Sequence, residues 1–127
     1  MIDHILAREN YEIAKKLLDA AALRQEAIAT NLANLETPGF KRIDLAPDFA
    51  QQLARLSGNP GSTSADSLQP KLAEDRLTQS LRPDGNNVSL DRELLEMNRN
   101  AVEYEFLTQY ASDSIRRLKT AITGRVQ

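Results

Sequence analysis

Cysteine is absent from this sequence, which excludes disulfide staples and thiolate metal sites. Tryptophan is absent too, and only three phenylalanines and three tyrosines occur in 127 residues. Large aromatic side chains dominate the energetics of compact cores, so this composition suits long helices better than a globule. His4 is the only histidine. One histidine cannot build a zinc site, and no serine stands in a recognisable triad arrangement with it. No Gly-rich phosphate cradle precedes a helix. "PDGNN", residues 83 to 87, opens like a calcium loop, but the other ligand positions of an EF-hand do not follow, and the stretch reads as a turn. The chain is expected to be no enzyme, to carry no cofactor or metal, and to take no small-molecule substrate.

A basic excess is also missing. Sixteen Lys and Arg face 18 Asp and Glu, a net charge of −2, which argues against a nucleic-acid partner. A helix-turn-helix DNA binder around Arg24 to Arg42 would have the right helical content but the wrong charge and a Pro-Gly interruption. No run approaches the ~20 apolar residues of a membrane span. The opening "MIDHILARENYEIAKK" carries Asp3, Arg8 and Glu9 and lacks the apolar region of a cleaved signal peptide. The expectation is a chain made soluble in the cytosol and not inserted in a membrane, which needs another export route if it works elsewhere.

What is plentiful is helix former. From about Tyr11 to Leu35, Ala14, Leu18, Ala21, Gln25, Ile28, Leu32 and Leu35 step by fours and threes, the spacing of a coiled-coil seam. The stop is firm: Thr37 before Pro38 is pushed out of the helical region, and Pro38-Gly39 suits the centre of a type II turn with Gly39 at positive φ. Asn34 is expected as a left-handed cap. Pro47 is placed to open a short helix over 47–56. Residues 57 to about 84 hold many Ser, Gly and Pro and few bulky apolar side chains, so they read as mobile, with extended pieces around Leu68 to Leu81. Order resumes at Ser89, an N-cap followed by Asp91 and Glu93. Leu90, Leu94, Met97, Ala101, Tyr104, Thr108, Ala111, Ile115, Leu118 and Ile122 continue the four-three series to a stop at Gly124.

The fold class expected is mainly α: two long terminal helices forming an antiparallel coiled-coil-like hairpin, joined by a partly disordered middle segment. The divisions are 1–43, 44–86 and 87–127. Leu18, Ile28, Leu32, Leu94, Met97, Tyr104, Ile115 and Leu118 are assigned to the intrachain seam. Leu95, Val102, Phe106 and Tyr110 form an offset stripe that a two-helix hairpin leaves wet, and such stripes mark interaction sites. Val102, Phe106 and Tyr110 are therefore assigned to contacts with other subunits. An alternative is a soluble helical adaptor or chaperone-like module that pairs these stripes with one partner helix.

"ATNLANLETPGFKR", residues 29 to 42, closely resembles the signature of the bacterial flagellar axial proteins of rod and hook. Asn31, Leu32, Ala33, Asn34, Thr37, Pro38, Gly39, Phe40 and Lys41 match it, while Thr30 stands where the pattern often has a first Asn. The stretches "DGNNVSLDRELLEMNRNAVEYEFLTQ" and "LKTAITG" are similar to the short, proximal-rod kind of that family. The resemblance covers about residues 10 to 45 and 82 to 124. It implies a structural subunit of the proximal rod of the basal body, in the periplasmic space, exported by the flagellar type III system without a cleavable signal and contributing to motility. It implies as partners further copies of the chain, other rod proteins, the adaptor protein FliE and the export gate. It also implies that Asn31 and Asn34 bond to neighbouring subunits while Thr37, Pro38, Gly39, Phe40 and Lys41 form the turn beside them.

Overall fold

Alanine, leucine and long charged side chains fill the first 33 residues without an interior Gly or Pro, and they form helix α1, Ile2–Ala33. In this computed structural model the described residues are 2–58, 65–80 and 82–124. Strand β1, Ile43–Leu45, follows the turn, then helix α2, Pro47–Gly58, a single 3-10 turn at Ala65–Ser67, strand β2, Leu72–Glu74, and helix α3, Leu90–Thr123. The protein is mainly helical, with its longest helices towards the two termini. Ser89 takes the extended backbone of an N-cap and its carbonyl accepts the Glu93 amide, but its side chain makes no cap bond. Gly124, at φ 64, closes α3 with a bond to the Thr120 carbonyl.

The middle of the chain is more built than its composition suggests. β1 and β2 pair antiparallel with Asp44 opposite Ala73, and the ladder is extended by Ala46 N–H to the Lys71 carbonyl and Asp75 N–H to the Arg42 carbonyl, both at 2.8 Å. Phe49, Leu53 and Leu56 recur by fours and threes along one face of α2. That face packs with Leu68, Leu45 and Leu17 onto Ala20 of α1. Leu68 is completely buried. Small Ala20 lets the α2 layer sit close to α1, and the apolar cluster offsets the ordering cost that a Ser- and Gly-rich segment alone could not. Within the stretch expected to be mobile, residues 65–80 hold a 3-10 turn and β2, the latter among the extended pieces expected around Leu68 to Leu81; residues 59–64 and 81 lie outside the described residues.

α3 packs antiparallel on α1: Asn31 meets Glu93, Ala21 and Gln25 meet Asn100, and Arg24 meets Glu103. On α1 the buried row is Ala14, Ala20, Ala21, Ala27, Ile28 and Asn31, with Leu18 and Leu32 half-buried. On α3 the row facing inward is Glu93, Asn100 and Leu107, seven apart. The α1 side of the expected seam faces inward, whereas the α3 side is one residue out of register. Met97 is half-buried, whereas exposure runs from 40% at Leu94 through Tyr104 and Ile115 to 57% at Leu118. The physical reason is a charge: Arg42 is carried under α3 by the turn, and Glu93, not Leu94, can pair with it.

Candidate functional site

The end of α1 is held by side chains that come from far along the chain. α1 stops at Ala33, and no described residue other than Gly39, Gly85 and Gly124 has positive φ, so Asn34 is not the left-handed cap expected of it. Asn86, fully buried, donates its Nδ2 to the carbonyls of Asn34, Leu35 and Thr37 at 2.9, 3.1 and 2.9 Å. Arg82 Nη1 donates to the Leu35 carbonyl at 2.6 Å. These bonds occupy carbonyls that a helix end leaves open. Thr37-Pro38-Gly39-Phe40 is a tight turn closed by Phe40 N–H to the Thr37 carbonyl at 3.2 Å, with Gly39 at φ 73. The sequence expectation for Gly39 holds. Gly39 N–H then donates to the Asp84 carbonyl at 2.8 Å, and Lys41 Nζ to the Gly85 carbonyl. Gly85 at φ 81 lies so close that an added Cβ would sit 3.8 Å from Gly39 Cα.

Two residues beyond the turn stands Arg42, almost wholly buried. Its Nε donates to Glu93 Oε1 at 2.6 Å, and its Nη1 to Asp44 Oδ2 and Asp75 Oδ2, each at 2.8 Å. Its backbone N–H donates to Asn87 Oδ1 at 2.6 Å. Burial alone would lower the Arg42 pKa, but the hydrogen bonds and charges of Glu93 and Asp44 raise it above its ordinary value, so the guanidinium stays charged. Burial likewise pushes the Asp75 carboxyl up, yet the Thr78 hydroxyl, the Leu77 amide and Arg42 bring it below the usual carboxylate range. Asn31 closes the group. Its Nδ2 donates to the Ile43 carbonyl at 2.9 Å and to Glu93 Oε2 at 3.1 Å, and its Oδ1 accepts the Ile43 amide at 2.9 Å.

That geometry corrects the role expected of Asn31. Fully buried, with both amide hydrogens and its oxygen engaged inside the chain, it has nothing to offer a neighbouring molecule. Asn34 is half-buried and spends its Nδ2 on the Thr30 carbonyl and its Oδ1 on the Thr37 hydroxyl. Of the motif, Thr37, Pro38, Gly39 and Lys41 are exposed and Phe40 is half-buried. Arg42, Asp75, Asn86, Asn87, Glu93 and Asn100 did not emerge from the sequence. The signal available was Glu93 and Asn100 standing seven apart, in step with Leu107, and two asparagines directly after Asp84-Gly85.

A second surface lies along α3. Val102 and Phe106 are 69% and 68% exposed, and with Asn98, Arg99 and Glu103 they line a shallow open depression. Leu90, Leu95, Tyr110 and Ile122 extend the exposed apolar side chains along the helix. Among the described residues no group of His, Cys, Asp or Glu could hold a metal ion, and no helix is long and apolar enough to cross a membrane. A rigid polar turn beside an unpartnered apolar helix surface is the equipment of a helical structural subunit.

Residues 18–41, which run from α1 through the turn, match the family described as Flagella basal body rod protein. The chain is also similar along most of its length to curated flagellar basal body rod proteins FlgB. It is 30% identical to that of Aeromonas hydrophila over 124 residues, 90% of this chain and 92% of the relative. To that of Bacillus subtilis (strain 168) it is 28% identical over 115 residues, 84% and 88% of the two chains. To that of Escherichia coli (strain K12) it is 28% identical over 132 aligned positions, 91% and 93%. The chain belongs to the FlgB family of flagellar basal body rod proteins, a family of structural proteins and not of enzymes.

Proposed function

We propose that the chain is a subunit of the proximal rod, exported by the flagellar type III system without a cleavable signal and assembled in the periplasmic space through its terminal helices. In this reading α1 and α3 work as an antiparallel coiled-coil-like hairpin whose outer face is covered by neighbours. Those neighbours are further copies of the chain, other rod proteins and, at the base, FliE and the export gate. The observation that carries the reading is the exposed apolar surface of α3 in a member of a rod family: Val102 and Phe106 stand in water in the single chain, and burial by other helices stabilises them. Tyr110 continues that surface along α3, and the exposed Thr37-Pro38-Gly39 corner and Lys41 offer a second contact, held from within by the buried asparagines. The test is a strain lacking this chain, scored for rods in isolated basal bodies and for swimming. Loss of both, restored by the intact chain, is expected. Normal rods without it would overturn the reading.

A further inference from the structure

The seam between α1 and α3 is polar where an apolar one was available. Glu93 and Asn100 share the inward row with Leu107. Asn100 Nδ2 donates to the Ala21 carbonyl at 2.9 Å and to Gln25 Oε1 at 3.2 Å, while its Oδ1 is buried with no hydrogen-bond partner among the described residues. A buried acceptor left in that state is destabilising, a cost that leucine at the same position would not carry. One residue further along, Leu94, Ala101 and Thr108 form a row rotated by about 100° from the one in use. Burial of apolar area alone favours that row, and turning α3 to use it would bring Leu94 against α1. The face shown to the outside would change with it.

Arg42 cannot follow such a rotation. Its guanidinium is tied to Asp44 and Asp75, its amide to Asn87, and its carbonyl to the Asp75 amide. If α3 turned, Glu93 would leave both Arg42 and Asn31, and breaking a buried ion pair is far more destabilising than never having built one. We propose that Glu93 with Arg42, together with Asn100, is a rotational key: these residues determine which face α3 presents outward and keep the Leu94, Ala101 and Tyr104 side from folding in. The inference deepens the assembly role proposed above, because it names the residues that decide which surface a neighbouring subunit meets. It works as specificity usually does, by making the wrong arrangement costly and not by making the right one maximally stable.

A chain without cysteine reports on rotation through single introduced thiols. Ala101→Cys lies on the exposed side and Leu107→Cys on the buried side of α3. Each is placed in the otherwise unchanged chain and in a background carrying Arg42→Met, Glu93→Ser and Asn100→Ser, which removes the key while leaving the 93/100/107 row less apolar than the 94/101/108 row. Their rates of reaction with a soluble maleimide are then compared in the purified full-length protein. In the unchanged chain the Ala101→Cys thiol should react faster, on the order of tenfold, since a buried thiol waits for local opening. In the key-less background the order should reverse. An order that stays the same, or two thiols that react equally fast, would overturn the key. Thiol reactivity of the purified protein judges the key, and rod formation in the deletion strain judges the assembly role, so failure of one is told apart from failure of the other.

Discussion

Asn86 serves as the α1 end's main cap although it lies 52 residues beyond Asn34 in the sequence. Its amide fits both needs there: Nδ2 faces three carbonyls and Oδ1 accepts the Val88 amide at 2.8 Å. Asn86→Asp keeps the acceptor but turns the donor into a carboxylate oxygen facing carbonyl oxygens. That change should destabilise the fold by more than ~2 kcal/mol, read by urea unfolding, whereas an exposed mid-helix change such as Glu105→Gln should stay within about 0.5 kcal/mol. Asp75 makes the turn sensitive to acid. Its carboxyl titrates below the ordinary 3.8 in the folded chain, so its contribution is present in full above that value. The contribution is lost as pH falls through the lower, folded value. The gap in melting temperature between the wild type and Asp75→Asn should be widest from about pH 5 upward and should close below about pH 4.

At the scale of elements, the long helices were legible because their periodicity and helix propensity agree over many turns. The Pro38-Gly39 stop was equally legible, and Gly39 has the positive φ that its place in the turn requires. Of the strands, β2 falls within the extended pieces expected around Leu68 to Leu81, while β1 and the pairing were not legible. Ile43–Leu45 and Leu72–Glu74 are three residues each, too short for a period of two to show, and they depend on pairing with each other and on contacts from distant parts of the chain. The rotation of α3 was misread for a different reason: an apolar count rewards Leu94, but only the folded turn brings Arg42 to Glu93. Docking of the middle segment gives a direct test. Phe49 is buried among Ala20, Leu56 and Leu68, so Phe49→Ala should cost ~3 kcal/mol, the lower end for a core aromatic in so small a cluster. Amide exchange should then speed up in α2 and β2 while α3 near Asn100 keeps its protection.

For the whole molecule the informative residue is one that the single chain hardly uses. Phe106 is 68% exposed, so Phe106→Ala should leave the melting temperature of the purified chain nearly unchanged, within about 0.5 kcal/mol in stability. In cells the variant should be secreted at normal levels and yet be depleted from isolated basal bodies, because an aromatic anchor desolvated at an interface is commonly worth ~2 kcal/mol or more. Immunoblots of the medium and of purified basal bodies give the two quantities. Normal incorporation would show that neighbours meet the chain elsewhere.

The turn's bonding also sets an order in time. Arg42 and Glu93 are 51 residues apart in sequence, and Asn31 and Glu93 are 62 apart. A chain that emerges residue by residue, from a ribosome or from a narrow pore, holds only one member of each pair for most of its passage. Until Glu93 arrives, the Arg42 Nε keeps its hydration, and until Asn86 arrives so do the carbonyls beyond Ala33 that it caps. The corner therefore cannot close until Glu93 has emerged, and a half-emerged chain displays no finished corner for a neighbour to seize too soon.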